Sequence, residues 1–199
     1  LGNEAVTLSD TTLAVAALNT LNGNTTGVVN AATVATLTGA ASAMNTAYTA
    51  GGNSEISGLG NEAITLDDTT LAVATLNTLN GNTTGVVNAA TITTLTGAAS
   101  AMNTAYTAGG NSEISGLGNE AITLDDTTLA ATVLNTLDGN TTGAVNAATV
   151  TTLTGAAAAV ITTYDSSGIS GLGNEKLTLS GSTSVANANT LAADTTGVI

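Results

Sequence analysis

The feature that most restricts what this chain can fold into is repetition. The string from Leu1 to Gly58 returns almost unchanged from Leu59 to Gly116 and, shortened by three residues, from Leu117 to Gly171. It starts again at Leu172 and runs to Ile199. Near-identical copies fold alike, and a unit too small to bury its own apolar face gains a core by stacking on its neighbours. The expected organisation is one continuous array with units at 1-58, 59-116, 117-171 and a partial unit at 172-199. Because it begins and stops inside a repeat, the chain reads as an excerpt of something longer.

Each copy divides again into two related halves. GVVNAATVATLTGAASAMNTAYTAGGNSE covers Gly27–Glu55, and ISGLGNEAITLDDTTLAVATLNTLNGNTT covers Ile56–Thr84. In both, one apolar residue is followed eight positions later by another. The pairs are Val29/Leu37, Ile56/Ile64, Val87/Leu95, Ile114/Ile122, Val145/Leu153 and Ile169/Leu177. The interval survives in the shortened copy, which places the deletion in the loop Asp165–Gly168. VVNA, TLTG, EISG and AITL are rich in Val, Ile and Thr and bounded by Gly or Asn, the pattern of brief strands between tight corners. Helical spacing follows. Leu71, Leu76 and Leu79 lie within Asp68–Leu79, opened by Asp-Thr-Thr and closed by Asn80-Gly81; Met102, Ala105 and Tyr106 lie within Ala98–Ala108. Helices this short need a surface to pack on.

The predicted fold is a repeat solenoid, a β-solenoid or α/β solenoid of stacked 29-residue coils, each with two short β-strands plus one short helix. Seven coils at about 4.8 Å each would make a section roughly 35 Å long. Matching residues would form two vertical columns: Val29, Ile56, Val87, Ile114, Val145, Ile169, and Leu37, Ile64, Leu95, Ile122, Leu153, Leu177. The alternative is a string of tandem small β-sandwich domains. Against it stand the helical stretches and a composition without Trp or Phe, which suits a thin interior of Val, Ile, Leu and Ala.

Composition narrows the function. Fourteen acidic residues face a single basic one, Lys176, giving a net charge of −13. Nucleic acids and anionic membrane surfaces recruit Lys/Arg clusters, so neither is an expected partner. No run of 18 apolar residues is present, so membrane insertion is not expected, and no signal peptide stands at the N-terminus. With no His, Cys or Arg, His-based and thiol catalysis, His/Cys metal sites and disulfides drop out. Equivalent copies also imply equivalent sites, unlike the single cleft of an enzyme. No enzyme is expected.

Four sets of residues remain as candidates. Thr7, Thr38, Thr65, Thr96, Thr123, Thr154 and Thr178 follow the second apolar position of every coil and would form a surface ladder. Such a file resembles the ice-binding faces of some solenoids, although Thr is also simply a good strand residue. The acidic corners are the second set. Glu62, Asp67, Asp68, Glu120, Asp125 and Asp126 are weak calcium candidates, because Gly58-Leu59-Gly60-Asn61-Glu62-Ala63-Ile64 is similar to a degenerate RTX-type nonapeptide. Calcium needs six to eight oxygens, so the competing expectation is N-capping by the Asp pairs, a solvated corner for each Glu, and no cofactor. Third, Asn30, Asn88 and Asn146 are expected to satisfy backbone groups at corners. Fourth, Asn24, Asn82 and Asn140 open Asn-Thr-Thr sequons, read as chain turns with glycosylation left open. Tyr48, Tyr106 and Tyr164, one per copy, are read as core-facing.

Phrases such as LNTLNGNTTGVVNAATVTTLTGAA and ISGLGNEAITLDDTT resemble tandem Ala/Thr/Asn/Gly-rich segments of giant cell-surface proteins of cyanobacteria and other aquatic bacteria, which are RTX-associated. The resemblance spans essentially the whole chain. It implies an extracellular or cell-surface localisation and a structural role as rod, stalk, surface layer or matrix. The expected partners are continuation of its own repeat array or end-to-end self-association. A ligand-binding adhesin module for ice, polysaccharide or calcium is the alternative, with an extracellular polysaccharide as the remaining candidate partner.

Overall fold

A computed structural model describes residues 2–199. In chain order the elements are β1 (Val6–Thr7), β2 (Thr12–Ala14), α1 (Val15–Gly23), β3 (Val29–Asn30), β4 (Thr36–Gly39), α2 (Ala41–Gly52), β5 (Ile56–Ser57), β6 (Ala63–Leu66), β7 (Thr70–Ala72) and α3 (Val73–Asn82). They continue with β8 (Val87–Asn88), β9 (Thr94–Gly97), α4 (Ala99–Gly110), β10 (Ile114–Ser115), β11 (Ala121–Leu124), β12 (Thr128–Ala130), α5 (Ala131–Asn140), β13 (Val145–Asn146), β14 (Thr152–Gly155), α6 (Ala157–Asp165), β15 (Ile169–Ser170), β16 (Lys176–Leu179) and α7 (Val185–Asp194). These are repeated strand–helix units with parallel sheets and no closed barrel.

The halves of a copy are not equivalent, which corrects the expected two strands per coil. The half at 27–55 has two strands and a helix, whereas the half at 56–84 has three strands and a helix. The extra strand, β7, takes residues assigned above to the start of a helix. Its burial alternates, with Leu71 inward and Thr70 and Ala72 outward, the period of an extended chain. The helix begins only at Val73.

Two compact units make up the chain, Leu1–Ile92 with Thr107–Leu117 and Thr93–Tyr106 with Gly118–Ile199. In the first, β1-β3-β5 form one parallel sheet and β10-β8-β6-β4-β2 another. Across the larger sheet Leu13, Leu37, Ile64, Val87 and Ile114 stand side by side. The steps Val29 to Ile56 and Leu37 to Ile64 occur as expected. The next step does not: Val87 joins Ile64, not Ile56, so the two vertical columns are broken. The reason is local. After α3 the Thr83-Thr84-Gly85 segment lies directly on the backbone of Gly60–Glu62, with Thr84 N–H donating to the Gly60 carbonyl at 2.9 Å. That contact delivers Val87 beside Ile64 only 23 residues later, whereas Leu37 and Ile64 are 27 apart.

In the second unit β9, β11, β13 and β15 align Leu95, Ile122, Val145 and Ile169. Beside them β12, β14 and β16 align Leu129, Leu153 and Leu177. Helices pack consecutively in each unit, α1 on α2 on α3 and α5 on α6 on α7. Asn side chains bridge them: Asn19 Nδ2 donates to the Ala43 carbonyl at 2.9 Å, and Asn135 Nδ2 to the Ala159 carbonyl at 2.9 Å. Leu18, Leu37, Met44, Ile64 and Leu76 are fully buried between helices and sheets of the first unit. Removing a side chain such as Leu76 from so thin a core would cost about 2–5 kcal/mol.

The deletion in the third copy also lies elsewhere than expected. Helix α2 has 12 residues and α6 has nine, while three residues still link each to its following strand. The missing residues come out of the helix, close to one turn of 3.6 residues, so the chain leaves in nearly the same direction.

Candidate functional site: the glutamate–tyrosine clusters

The Gly-Asn-Glu corners are the most unusual places in the chain. Glu62, Glu120 and Glu175 are 0% exposed, which overturns the reading of these residues as solvated. A buried acid is costly unless its oxygens are hydrogen-bonded, and here they are. The Gly60 N–H reaches both Glu62 oxygens, at 2.9 and 3.1 Å, and the Tyr48 hydroxyl donates to Oε2 at 2.9 Å. Gly118 and Tyr106 serve Glu120 in the same way, as do Gly173 and Tyr164 for Glu175, with the hydroxyl at 2.8 Å. All these donors are neutral.

The rest of the cluster is backbone. Thr83 Oγ1 donates to the Glu62 carbonyl at 2.7 Å and accepts from the Gly85 N–H at 3.0 Å. Thr141 and Thr195 repeat the first contact on Glu120 and Glu175. Gly85 must be glycine here, because a Cβ would collide with the carbonyl carbon and oxygen of Glu62. Each Tyr comes from the helix before its Glu, 14 residues earlier in two copies and 11 in the shortened one. Burial pushes the Tyr48 and Tyr106 hydroxyls far above the usual phenol range, and the charges of Glu62 and Glu120 push the same way. Tyr164 is raised first by burial and then by its hydrogen bond to Glu175.

The first copy differs. Glu4 is exposed, and its carboxylate accepts from the Gly2 N–H at 2.6 Å. Backbone hydrogen bonding, that of Gly2 foremost, holds its carboxyl below the usual range. The Thr25 Oγ1 bond to the Glu4 carbonyl is retained at 2.6 Å.

The Asp pairs divide their labour. Asp68 Oδ2 accepts from the Ala41 N–H and Asp126 Oδ2 from the Ala99 N–H, each at 2.7 Å, while Asp67 and Asp125 are exposed. Asp68 thus caps α2, which precedes it in the chain, and not the helix that follows it; α2 starts after Ala40 and has no cap of its own. Among the described residues no group of three or more acids is arranged to hold a metal ion together.

The Thr positions meet in pairs: Thr38 beside Thr65, Thr96 beside Thr123 and Thr154 beside Thr178. Thr7, Thr65 and Thr123 each have an Asn neighbour, Asn30, Asn88 and Asn146. Those three Asn side chains accept from the N–H two residues on, at 3.0 Å. Asn82 of the second sequon is half-buried and donates to Asn45 Oδ1.

A further polar pair shows co-substitution between copies. Asn22 and Asn80 donate to Glu55 and Glu113 at 3.0 and 3.1 Å. In the third copy the roles reverse, and Ser166 donates to Asp138 at 2.7 Å. Finally, a groove of about 510 Å³ lies against Tyr48 and the Gly58–Gly60 corner.

Sequence reasoning noticed the Glu and Tyr residues separately and missed their pairing. The available signal was that each Tyr is followed, 14 residues on in two cases and 11 in the third, by the Gly-Asn-Glu corner of the next copy. No protein family, curated protein or solved structure matches this chain.

Proposed function

We propose that the chain is a structural segment of a long extracellular or cell-surface repeat protein, a solenoid rod or stalk lengthened by adding copies. The observation that supports it is that copies complete one another. The five-stranded sheet of the first unit draws β2 and β4 from one copy and β6, β8 and β10 from the next, and Asp68 of the second copy caps α2 of the first. An array joined in this way has nearest-neighbour energetics and no need of a catalytic cleft. Its many acids and single cation would keep neighbouring rods apart, with a range set by a Debye length of about 8 Å at physiological salt.

Scattering and electron microscopy on chains of increasing copy number test this reading. Two coils per copy at about 4.8 Å predict roughly 10 Å of added length per copy. Independent domains would add far more and would appear as beads. For localisation, antibodies against the segment should label intact cells; labelling only after lysis overturns the surface assignment.

A further inference from the structure

We propose that the groove beside Tyr48 is a binding site for a neutral hexopyranose unit of a polysaccharide. This goes beyond the scaffold role and stands or falls separately from it. The groove, about 510 Å³, has the size of a small-ligand site. Val28, Tyr48, Ile56 and Leu59 give it an apolar lining, Ser54, Ser57 and Asn82 supply polar groups, and no charged side chain lines it. That combination matches a pyranose, which presents a C–H face on one side and hydroxyls around its edge. An ion or an acidic sugar would find no counter-charge. The neighbouring groove between α1 and α2, about 460 Å³, contains Glu55 and no aromatic ring.

Three details favour a formed site over an accidental hollow. The Tyr48 hydroxyl is tied to buried Glu62, which fixes the ring at the groove wall before any ligand arrives and lowers the ordering cost of binding. Val28 is 44% exposed, one of few large apolar side chains left open among the described residues. Ser54 occupies the left-handed position after α2, with φ of 65°, where glycine is the usual choice. A chain with 23 glycines places a hydroxyl at that position, on the groove wall.

The test uses the whole chain and its aromatic NMR signals, which come from Tyr48, Tyr106 and Tyr164 alone. Cellohexaose, maltohexaose and mannohexaose are the neutral probes, and hexagalacturonate is the anionic one. At least one neutral probe should shift the Tyr48 ring signals saturably, more than those of Tyr164, whose copy has Ala144 in place of Val28 and a shorter helix. Val28→Trp should fill the groove and weaken that probe about tenfold as read at the Tyr48 ring signals, the scale of one aromatic contact, while the Tyr106 signals, whose copy keeps Val86, still respond. Ser57→Trp, on an exposed strand position, is the second blocking variant should Val28→Trp fail to fold. No saturable shift with any neutral probe, equal shifts at Tyr164, tighter binding of hexagalacturonate, or full affinity in the folded blocking variants would each overturn the proposal.

Discussion

Glu4 and Glu62 sit in the same Gly-Asn-Glu sequence, are followed by the same Thr-Thr-Gly, and end in opposite environments. Both have a Thr hydroxyl on their carbonyl, at 2.6 and 2.7 Å. Only Glu62 has a tyrosine, and only Glu62 is fully buried. The cluster therefore has two origins. Its Thr-Thr-Gly half comes from downstream in the same copy; its Tyr half comes from the helix of the copy before. A residue's burial in such an array is a property of its neighbours' order, not of its own local sequence.

The largest expected effect probes the half that the two clusters share. A methyl at Gly27 collides with the Glu4 backbone just as one at Gly85 does with that of Glu62. Gly85→Ala and Gly27→Ala should both destabilise their regions, by about 3 kcal/mol for overpacking against backbone that cannot move aside. Hydrogen exchange of the Thr84 and Thr26 amides measures this, because local opening is read separately from global unfolding. Retained protection in either variant would mean that the contact does not set the register.

Glu62→Ala should come next, at about 3 kcal/mol, because it strands the Gly60 N–H and the Tyr48 hydroxyl in a buried site. Glu4→Ala should leave stability unchanged. Equal losses in the two variants would erase the contrast between the clusters. Tyr48→Phe removes one donor and keeps the ring; about 1–2 kcal/mol is expected, with protection lost first at the Gly60 amide.

Alkali addresses the same half of the cluster. The Tyr hydroxyls are raised in the folded state, so their contribution is fully present below the ordinary phenol value of about 10 and is lost as pH climbs through the raised folded values. The melting temperature should fall steadily above about pH 10. In the folded chain phenolate absorbance should lag that of the denatured chain, and coincident titration curves would refute the clusters. The smallest effect is expected at the caps: Asp68→Ala should cost about 1 kcal/mol, the value of a lost N-cap, whereas exposed Asp10→Ala should cost nothing measurable in a thermal melt.

Much of the fold was legible in the letters. The eight-residue interval located β3 and β4, β5 and β6, β8 and β9 as paired strand positions, since alternation and β-branched content report directly on extended chain. Boundaries were less legible. Thr-Leu-Ala at 70–72 reads equally well as helix start or strand, because Leu71 is buried in either, and only the neighbouring backbone decides. Asp68 looked like the cap of the following helix because sequence reasoning pairs a cap with what comes next, yet its partner is Ala41, 27 residues earlier. The Glu62–Tyr48 pair was hidden for a similar reason: nothing about an acid after Gly-Asn announces that a hydroxyl from another copy will close over it.

By itself the sequence determined that this protein is a periodic array of short strands and helices, because identical segments face identical local physics and must make identical local choices. Tertiary structure alone decided which strand lies beside which, and hence that Val87 adjoins Ile64 and that three glutamates are sealed from water. Those outcomes depend on where the backbone of one copy meets that of another, and steric fit between distant segments leaves no trace in the spacing of either one.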